Sequence, residues 1–297
     1  MPKRVGYIFD KIKQRENVEA AFHRVIRGEK WQSNDMLKEV IKQSDAIIDA
    51  ITILIEDENY AELFHEPHCF SIKEGISKKK RDIAAPLQVP DQIAHWALVQ
   101  VMEPIFMKGM YRYCCGSIPG RGPNDVREYL SKKLASPHAK SKYKYCLKMD
   151  IHHFFQSIDK NILIKLLERK IKDNQVIEMI KAILDTVLEG LPIGYYTSQW
   201  LANFYLESLD HFIKEDLGTE VYIRYVDDLV ILGSNKRKLH KMREEIQKFL
   251  YNALNLTLKG NYQVFAIKRR GIDFCGFRFY HGHTGIRKCI LKKYYKG

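Results

Sequence analysis

The sequence predicts an α+β protein with an antiparallel sheet. Strand-like and helical segments follow one another without strict alternation, and the stretch VYIRYVDDLVIL (221–232) reads as strand, tight turn, strand. Helical spacing recurs between these strand-like runs. Residues 1–62 read as helical, with Leu37, Val40, Ile41, Ile47, Ile48, Ile51 and Ile55 on one face and Ser33 or Asn34 as a cap. From 64 to 90, FSIKEGISKKKRDIAAPLQVP gives two short strands around a basic, Gly-containing turn, and a helix runs from Asp91 towards Phe106. After the punctuated loop CCGSIPGRGPN comes a strand, KYKYCLKMD, then helices near 160–172 and 175–189. GLPIGYYTSQWLANFYLESLDHFI begins as a turn and continues as an amphipathic helix. Past the hairpin, a basic helix near 236–253 and two strand-like runs, YQVFAI and IDFCGFRFY, complete the pattern.

The 297 residues include 49 Lys plus Arg against 36 Asp plus Glu, a formal net charge of +13. Such an excess suits a polyanion, nucleic acid first and an anionic membrane surface second. No apolar run approaches the roughly 18 residues needed to span a bilayer, and no leader is expected ahead of the first helix. The six cysteines form no Cys-x-x-Cys pair, which argues against a zinc ribbon or a redox motif and for free thiols in a reducing cytoplasm. HEPHC (65–69) holds two His and one Cys but lacks a second ligand cluster.

Adjacent acids at a turn, Asp227 and Asp228, suit either a plain surface hairpin or a pair of oxygen ligands for hard divalent cations. Asp150, ending the apolar run CLKMD, is a third acid at a strand tip. If these strands are neighbours, the carboxylates repel and are driven towards protonation unless cations compensate. Two metal ions about 3.5–4 Å apart would supply that charge.

In order, KKRDIAAP, SIPGRG, KMDIHHFF, GLPIGYYTSQWLANFYL, RYVDDLVIL and IDFCGF resemble the successive blocks of reverse transcriptases, over roughly residues 64–280. IGYYTSQ (193–199), with an aliphatic residue where most bacterial members carry Gln, looks like the diversity-generating retroelement subfamily, as does the amino-terminal segment. The resemblance implies a right-hand polymerase with a four-stranded antiparallel palm sheet. An amino-terminal helical extension would cover 1–63, fingers 64–145 (with palm segments near 86–120), palm 146–280, and the start of a minimal or truncated thumb 281–297.

It further implies an RNA-directed DNA polymerase in the cytoplasm of a bacterium or archaeon, or encoded by a phage. Such an enzyme copies a template-repeat RNA into adenine-mutagenised cDNA. Asp150, Asp227 and Asp228 become the catalytic carboxylates, which with the backbone of Ile151 hold two Mg2+ ions, Mn2+ being a possible substitute. Lys80 and Arg81 would grip the dNTP triphosphate, a planar guanidinium holding two oxygens at once. Phe155 would be the steric gate against a ribose 2′-hydroxyl, or else a core ring. Ile193 and Gly194 would lie against the nascent pair. Arg121 would contact a backbone phosphate or make a structural ion pair, and Gln199, Tyr225, Phe274 and Gly276 would meet template or primer. A Lys that relatives use as a general acid has Lys259 and Asn261 near its position, and His153 stands where relatives carry Asp or Gly. Expected partners are template RNA, the RNA/cDNA duplex, dNTPs and a pentameric accessory variability protein. A retron-like or defence polymerase and a non-catalytic RNA-binding scaffold are the competing readings.

Overall fold

The computed structural model describes residues 4–27, 35–74 and 79–294, so the expected caps Ser33 and Asn34 and the turn around Gly75 lie outside the described residues. The chain forms two compact units, Met1–Gly109 with Ile158–Ala202, and Met110–Ser157 with Asn203–Gly297.

In the first unit, helix Arg15–Ile26 buries Val18, Ala21, Phe22 and Val25, the spacing of one helical stripe. That stripe faces the long helix Val89–Gly109, where Asn17 Nδ2 donates to the carbonyl of Ala97 at 3.0 Å. Helix Ser44–Glu56 adds Ile48, Ile51 and Ile55 to the core. Strands β1 (His68–Glu74) and β2 (Lys79–Ala85) form an antiparallel hairpin in which Ile72 pairs with Arg81.

The second unit carries β3 (Cys114–Cys115), β4 (Tyr145–Asp150), β5 (Val221–Tyr225), β6 (Asp228–Gly233), β7 (Gln263–Ala266), β8 (Ile272–Phe274), β9 (Phe277–Tyr280) and β10 (His283–Ile286). Its main sheet runs β3-β5-β6-β4-β7. It therefore has five strands rather than the expected four and is not wholly antiparallel, because β3 pairs in parallel with β5. Two residues are too few to show a strand period, which is why Cys114–Cys115 reads as loop. IDFCGFRFY is likewise not one strand. Cys275 and Gly276 both take positive φ, 47° and 84°, and turn the chain so that Phe274 pairs with Phe277.

Helix Lys236–Leu254 buries Leu239, Met242, Ile246, Leu250 and Leu254, and the side chain of Asn235 caps it by accepting from the Lys238 N–H. Helix Pro123–Ala135 contributes Val126, Tyr129, Leu130 and Leu134 to a core shared with Val221, Ile223, Val230, Phe274 and Phe279. Helix Lys288–Tyr294 follows β10. Among the described residues no helix is long and apolar enough to cross a membrane.

Candidate active site

The β5–β6 hairpin pairs Tyr225 with Asp228 across a two-residue turn, Val226–Asp227. Val226 has φ 56°, a conformation that costs a β-branched residue of order 1–3 kcal/mol. The turn is held by its main chain. Val226 N–H donates to the Cys115 carbonyl at 3.0 Å, and the Asp227 carbonyl accepts from the Ile151 N–H at 3.2 Å.

Strand β4 lies antiparallel to β6 with Asp150 directly opposite Asp228. The three acids thus lie at one end of two neighbouring strands, the side-by-side arrangement on which the sequence reading depends. Burial, followed by the charge of Asp150, pushes the Asp227 carboxyl up to about 6. Burial also raises Asp228, with Lys148, 4.0 Å away, working against the shift. Lys259 Nζ lies 2.5 Å from Asp150 Oδ1, and its main-chain N–H donates to the Asp150 carbonyl at 2.8 Å. Of the two residues near the expected general-acid position, Lys259 contacts Asp150 directly, while Asn261 lines the same hollow as Asp150 and Asp228. Among the described residues, no three His, Cys, Asp or Glu side chains converge on a single ion-sized point. The donor set nonetheless fits hard cations: it is all carboxylate oxygen, and the charge of Lys259 only partly offsets the raised Asp227 carboxyl.

After Asp150 the chain turns sharply. His153 has φ 42°, a left-handed position that Asp, Asn, His and Gly tolerate better than other residues. Of the two rings that follow, Phe154 is buried in the core while Phe155 is only half-buried.

The other expected positions divide between the units. Tyr225 is half-buried on β5, with burial raising its hydroxyl. Phe274 is buried, whereas Gly276 occupies the β8–β9 turn and its carbonyl accepts from the Arg287 N–H. Arg121 Nη1 donates to the Tyr111 carbonyl at 3.0 Å within its own loop. In the first unit, Lys80 and Arg81 are exposed on β2, and Lys80 stands 3.6 Å from Asp82. Ile193 is half-buried and Gly194 exposed. A Cβ on Gly194 would collide with the Ala84 carbonyl oxygen, so strand β2 approaches too closely for any side chain there. Gln199 is half-buried on helix Tyr196–Tyr205. That helix is tied to Val89–Gly109 by a buried relay. Thr197 Oγ1 is 2.9 Å from His95 Nδ1, and His95 Nε2 is 3.1 Å from Asp91.

Sequence reasoning missed the group beneath the acidic turn. Arg224 and Asp210 are both 0% exposed. The guanidinium donates to both Asp210 oxygens at 2.8 and 2.6 Å, to Asn203 Oδ1 at 3.0 Å and to the Val226 carbonyl at 2.9 Å. It also reaches the Cys114 sulfur, whose thiol burial pushes up to about 12. The available signal was a charge inside a strand whose residues are otherwise apolar on both faces, VYIRY.

Comparisons with known proteins bear on the family and the fold. The chain is 27% identical over 212 residues to the retron Ec73 reverse transcriptase of Escherichia coli, covering 66% of this chain and 63% of that protein. It is 25% identical over 114 residues to nuclear intron maturase 1, mitochondrial, of Arabidopsis thaliana, covering 37% of this chain and 15% of that one. Among solved structures, telomerase from Candida albicans with a fragment of telomeric RNA matches at TM-score 0.57 and 13% identity, covering 78% of this chain and 48% of that chain. Apo telomerase from Candida tropicalis, truncated of its C-terminal domain, matches at 0.56 and 14%, covering 74% and 55%. The chain thus spans less than two thirds of the length of each of these relatives, and the telomerase likeness establishes the right-hand polymerase fold. Residues 73–279 match the family described as Reverse transcriptase (RNA-dependent DNA polymerase), and the chain belongs to that family.

Proposed function

We propose that this chain is an RNA-directed DNA polymerase whose catalytic acids are Asp150, Asp227 and Asp228. The observation that carries the reading is the register of β4 on β6, which sets Asp150 opposite Asp228 and beside the Asp227 turn. Reverse transcriptases generally use divalent metal ions, and these three carboxylates, with the Ile151 backbone, are the groups that would hold two of them, Mg2+ or Mn2+. When bound, such ions lower the pKa of a primer 3′-hydroxyl and neutralise the leaving pyrophosphate. The protein's own contribution is positional. The fixed turn presents Asp227 and Asp228 without rearrangement, Phe155 excludes a 2′-hydroxyl by its bulk, and Lys80 and Arg81 contact the triphosphate. Lys259 is placed to give a proton to pyrophosphate. Template and primer would meet Arg121, Gln199, Tyr225, Phe274 and Gly276. The remaining partners follow from the same reading: template RNA, the RNA/cDNA duplex and dNTPs, in a cytoplasmic setting.

The finer assignment is to the diversity-generating subclass, with an accessory pentameric protein and adenine-directed miscopying of a template-repeat RNA. Its support is IGYYTSQ, in which Ile193 can only pack against a nascent pair where a Gln would hydrogen-bond it. A retron-like polymerase is the second reading, favoured by the 27% identity to the retron Ec73 enzyme. Primer extension on an RNA template with Mg2+ and dNTPs, followed by sequencing of the product, tests all of this. Extension by the wild type and none by Asp227→Asn is expected, and equal extension by both would move the catalytic centre elsewhere. Substitutions concentrated at template adenines and reduced by Ile193→Gln favour the diversity-generating reading, whereas an unbiased error spectrum favours the retron-like one.

A further inference from the structure

At the opposite end of β4 from Asp150, a cavity of about 620 Å3 is lined by Lys140, Lys144, Tyr145, Lys268, Tyr280 and His283, among others. No carboxylate lines it. Tyr145 lies five strand steps before Asp150, about 17 Å at the strand rise, so this is not the acidic site. A neighbouring hollow extends the positive surface with Lys236, Arg269 and Arg270, again without an acid. Lys140, Lys144 and Lys268 are exposed and make no ion pair among the described residues.

Basic side chains beside β7 would by themselves be explained as protection of an edge strand against pairing with another chain. The aromatic part of the cavity is not explained that way. Tyr280 and His283 stack with centroids 4.7 Å apart and rings 10° from parallel. The Tyr280 hydroxyl donates to the Arg270 carbonyl at 3.2 Å, fixing the ring. Gly271 lies beneath it with φ 69°, and a Cβ there would meet Tyr280 ring atoms at 2.7 and 2.8 Å. The turn is thus shaped around a flat aromatic pair, flanked by three lysines.

We propose that this groove is a second nucleic-acid site, which holds a single-stranded RNA segment of the template transcript outside the copying site. Lysines neutralise its phosphates and one unstacked base lies on the Tyr280–His283 platform. An unstacked base requires a single strand, which favours RNA outside a duplex over the RNA/cDNA product. The inference rests on the reading that the chain copies RNA.

The test is binding of a fluorescein-labelled 12-nucleotide uridine homopolymer to the full chain across a salt series. The triple variant Lys140→Gln/Lys144→Gln/Lys268→Gln should lose about 2 from the slope of log affinity against log salt, at about 0.7 per phosphate contact. Its binding should weaken more than tenfold at low salt. His283→Ala, on an exposed side chain, should weaken binding roughly tenfold through lost stacking and leave the slope unchanged. A 5-iodouridine probe should photo-cross-link within residues 280–283. Slope and affinity unchanged in the triple variant, cross-links confined to other peptides, or tighter binding of the matching deoxy-oligomer would each overturn the proposal. Extension of a short hairpin primer–template should proceed alike in wild type and triple variant. If the wild type extends nothing while the triple variant still loses RNA affinity, the polymerase reading fails and the groove stands.

Discussion

Replacing Arg224 with Met takes away a cation that the protein has enclosed completely. The guanidinium contacts Asp210 twice, Asn203 Oδ1, the Val226 carbonyl and the Cys114 sulfur, all at 3.0 Å or less. In Arg224→Met, among the described residues Asp210 keeps the Tyr222 hydroxyl as its donor, at 2.6 Å. Burial holds that hydroxyl well above its ordinary pKa, so it stays protonated but cannot replace a cation. Orphaning one partner of a buried pair costs about 3–5 kcal/mol. That is a large share of the roughly 5–15 kcal/mol that holds a domain folded. Using about 4 kcal/mol, the melting temperature should fall by roughly 8–16 °C. Adding Asp210→Leu removes the orphaned carboxylate and should restore most of the lost stability, because an apolar replacement of a buried ion pair is often near neutral. The Val226 carbonyl stays without its partner in the double variant, so primer extension should remain well below wild type while the melt recovers. Thermal unfolding and extension rates on one set of preparations decide this. A single-variant loss below about 1 kcal/mol, or full extension by the double variant, would refute the role of Arg224 as a positioning residue for the acidic turn.

Two further outcomes are expected. With a folded-state value of about 6 against an ordinary carboxylate near 3.9, Asp227 holds a proton between those pH values that the unfolded chain has already lost. Wild-type stability measured in a chelator should therefore fall as pH rises from about 4 to about 6, and Asp227→Asn should gain on it across that window and keep a constant advantage above it. Parallel melts of the two proteins check this, and an advantage that shrinks with rising pH would contradict it. In the first unit, Gly194→Ala sets a Cβ against the Ala84 main-chain oxygen, which no rotamer change can move, so a loss of about 1–3 kcal/mol is expected in denaturant unfolding. An unchanged midpoint would mean that β2 shifts freely.

The parts legible in the sequence are those that a local period or an ordered set of blocks specifies. β-branched alternation around Asp227–Asp228 and the apolar run ending at Asp150 gave the strands, and the order of blocks made them neighbours. Helix Lys236–Leu254 was legible from its apolar stripe, to within a residue or so at each end. Illegible were features made by contacts far apart in sequence or by single unusual residues. Arg224 and Asp210 look like ordinary surface charges until folding encloses both. Cys275 at φ 47° breaks IDFCGFRFY where the Gly alone did not mark a hairpin. The platform of Tyr280 and His283 depends on Gly271, nine residues before Tyr280, whose only signal is a glycine in a basic turn.

The acidic end of the sheet is over-determined through the main chain, and that bears on how like charges can be held together at all. Val226 hydrogen-bonds to Cys115 on one side, and Asp227 to Ile151 on the other, through groups every residue carries. Gly116 at φ 91° lets the β3 loop close over the turn, since a Cβ there would meet Val226 Cγ2 at 2.8 Å. Arg224 adds a side-chain hydrogen bond to this turn, from beneath. A hairpin held only by its own side chains would relieve the repulsion of Asp150, Asp227 and Asp228 by swinging the acids apart. Here that movement would break hydrogen bonds on both flanks, so burial and, after it, the charge of Asp150 keep the Asp227 carboxyl raised. The rigidity that makes this end of the sheet electrostatically unfavourable in isolation is what leaves it preorganised for cations.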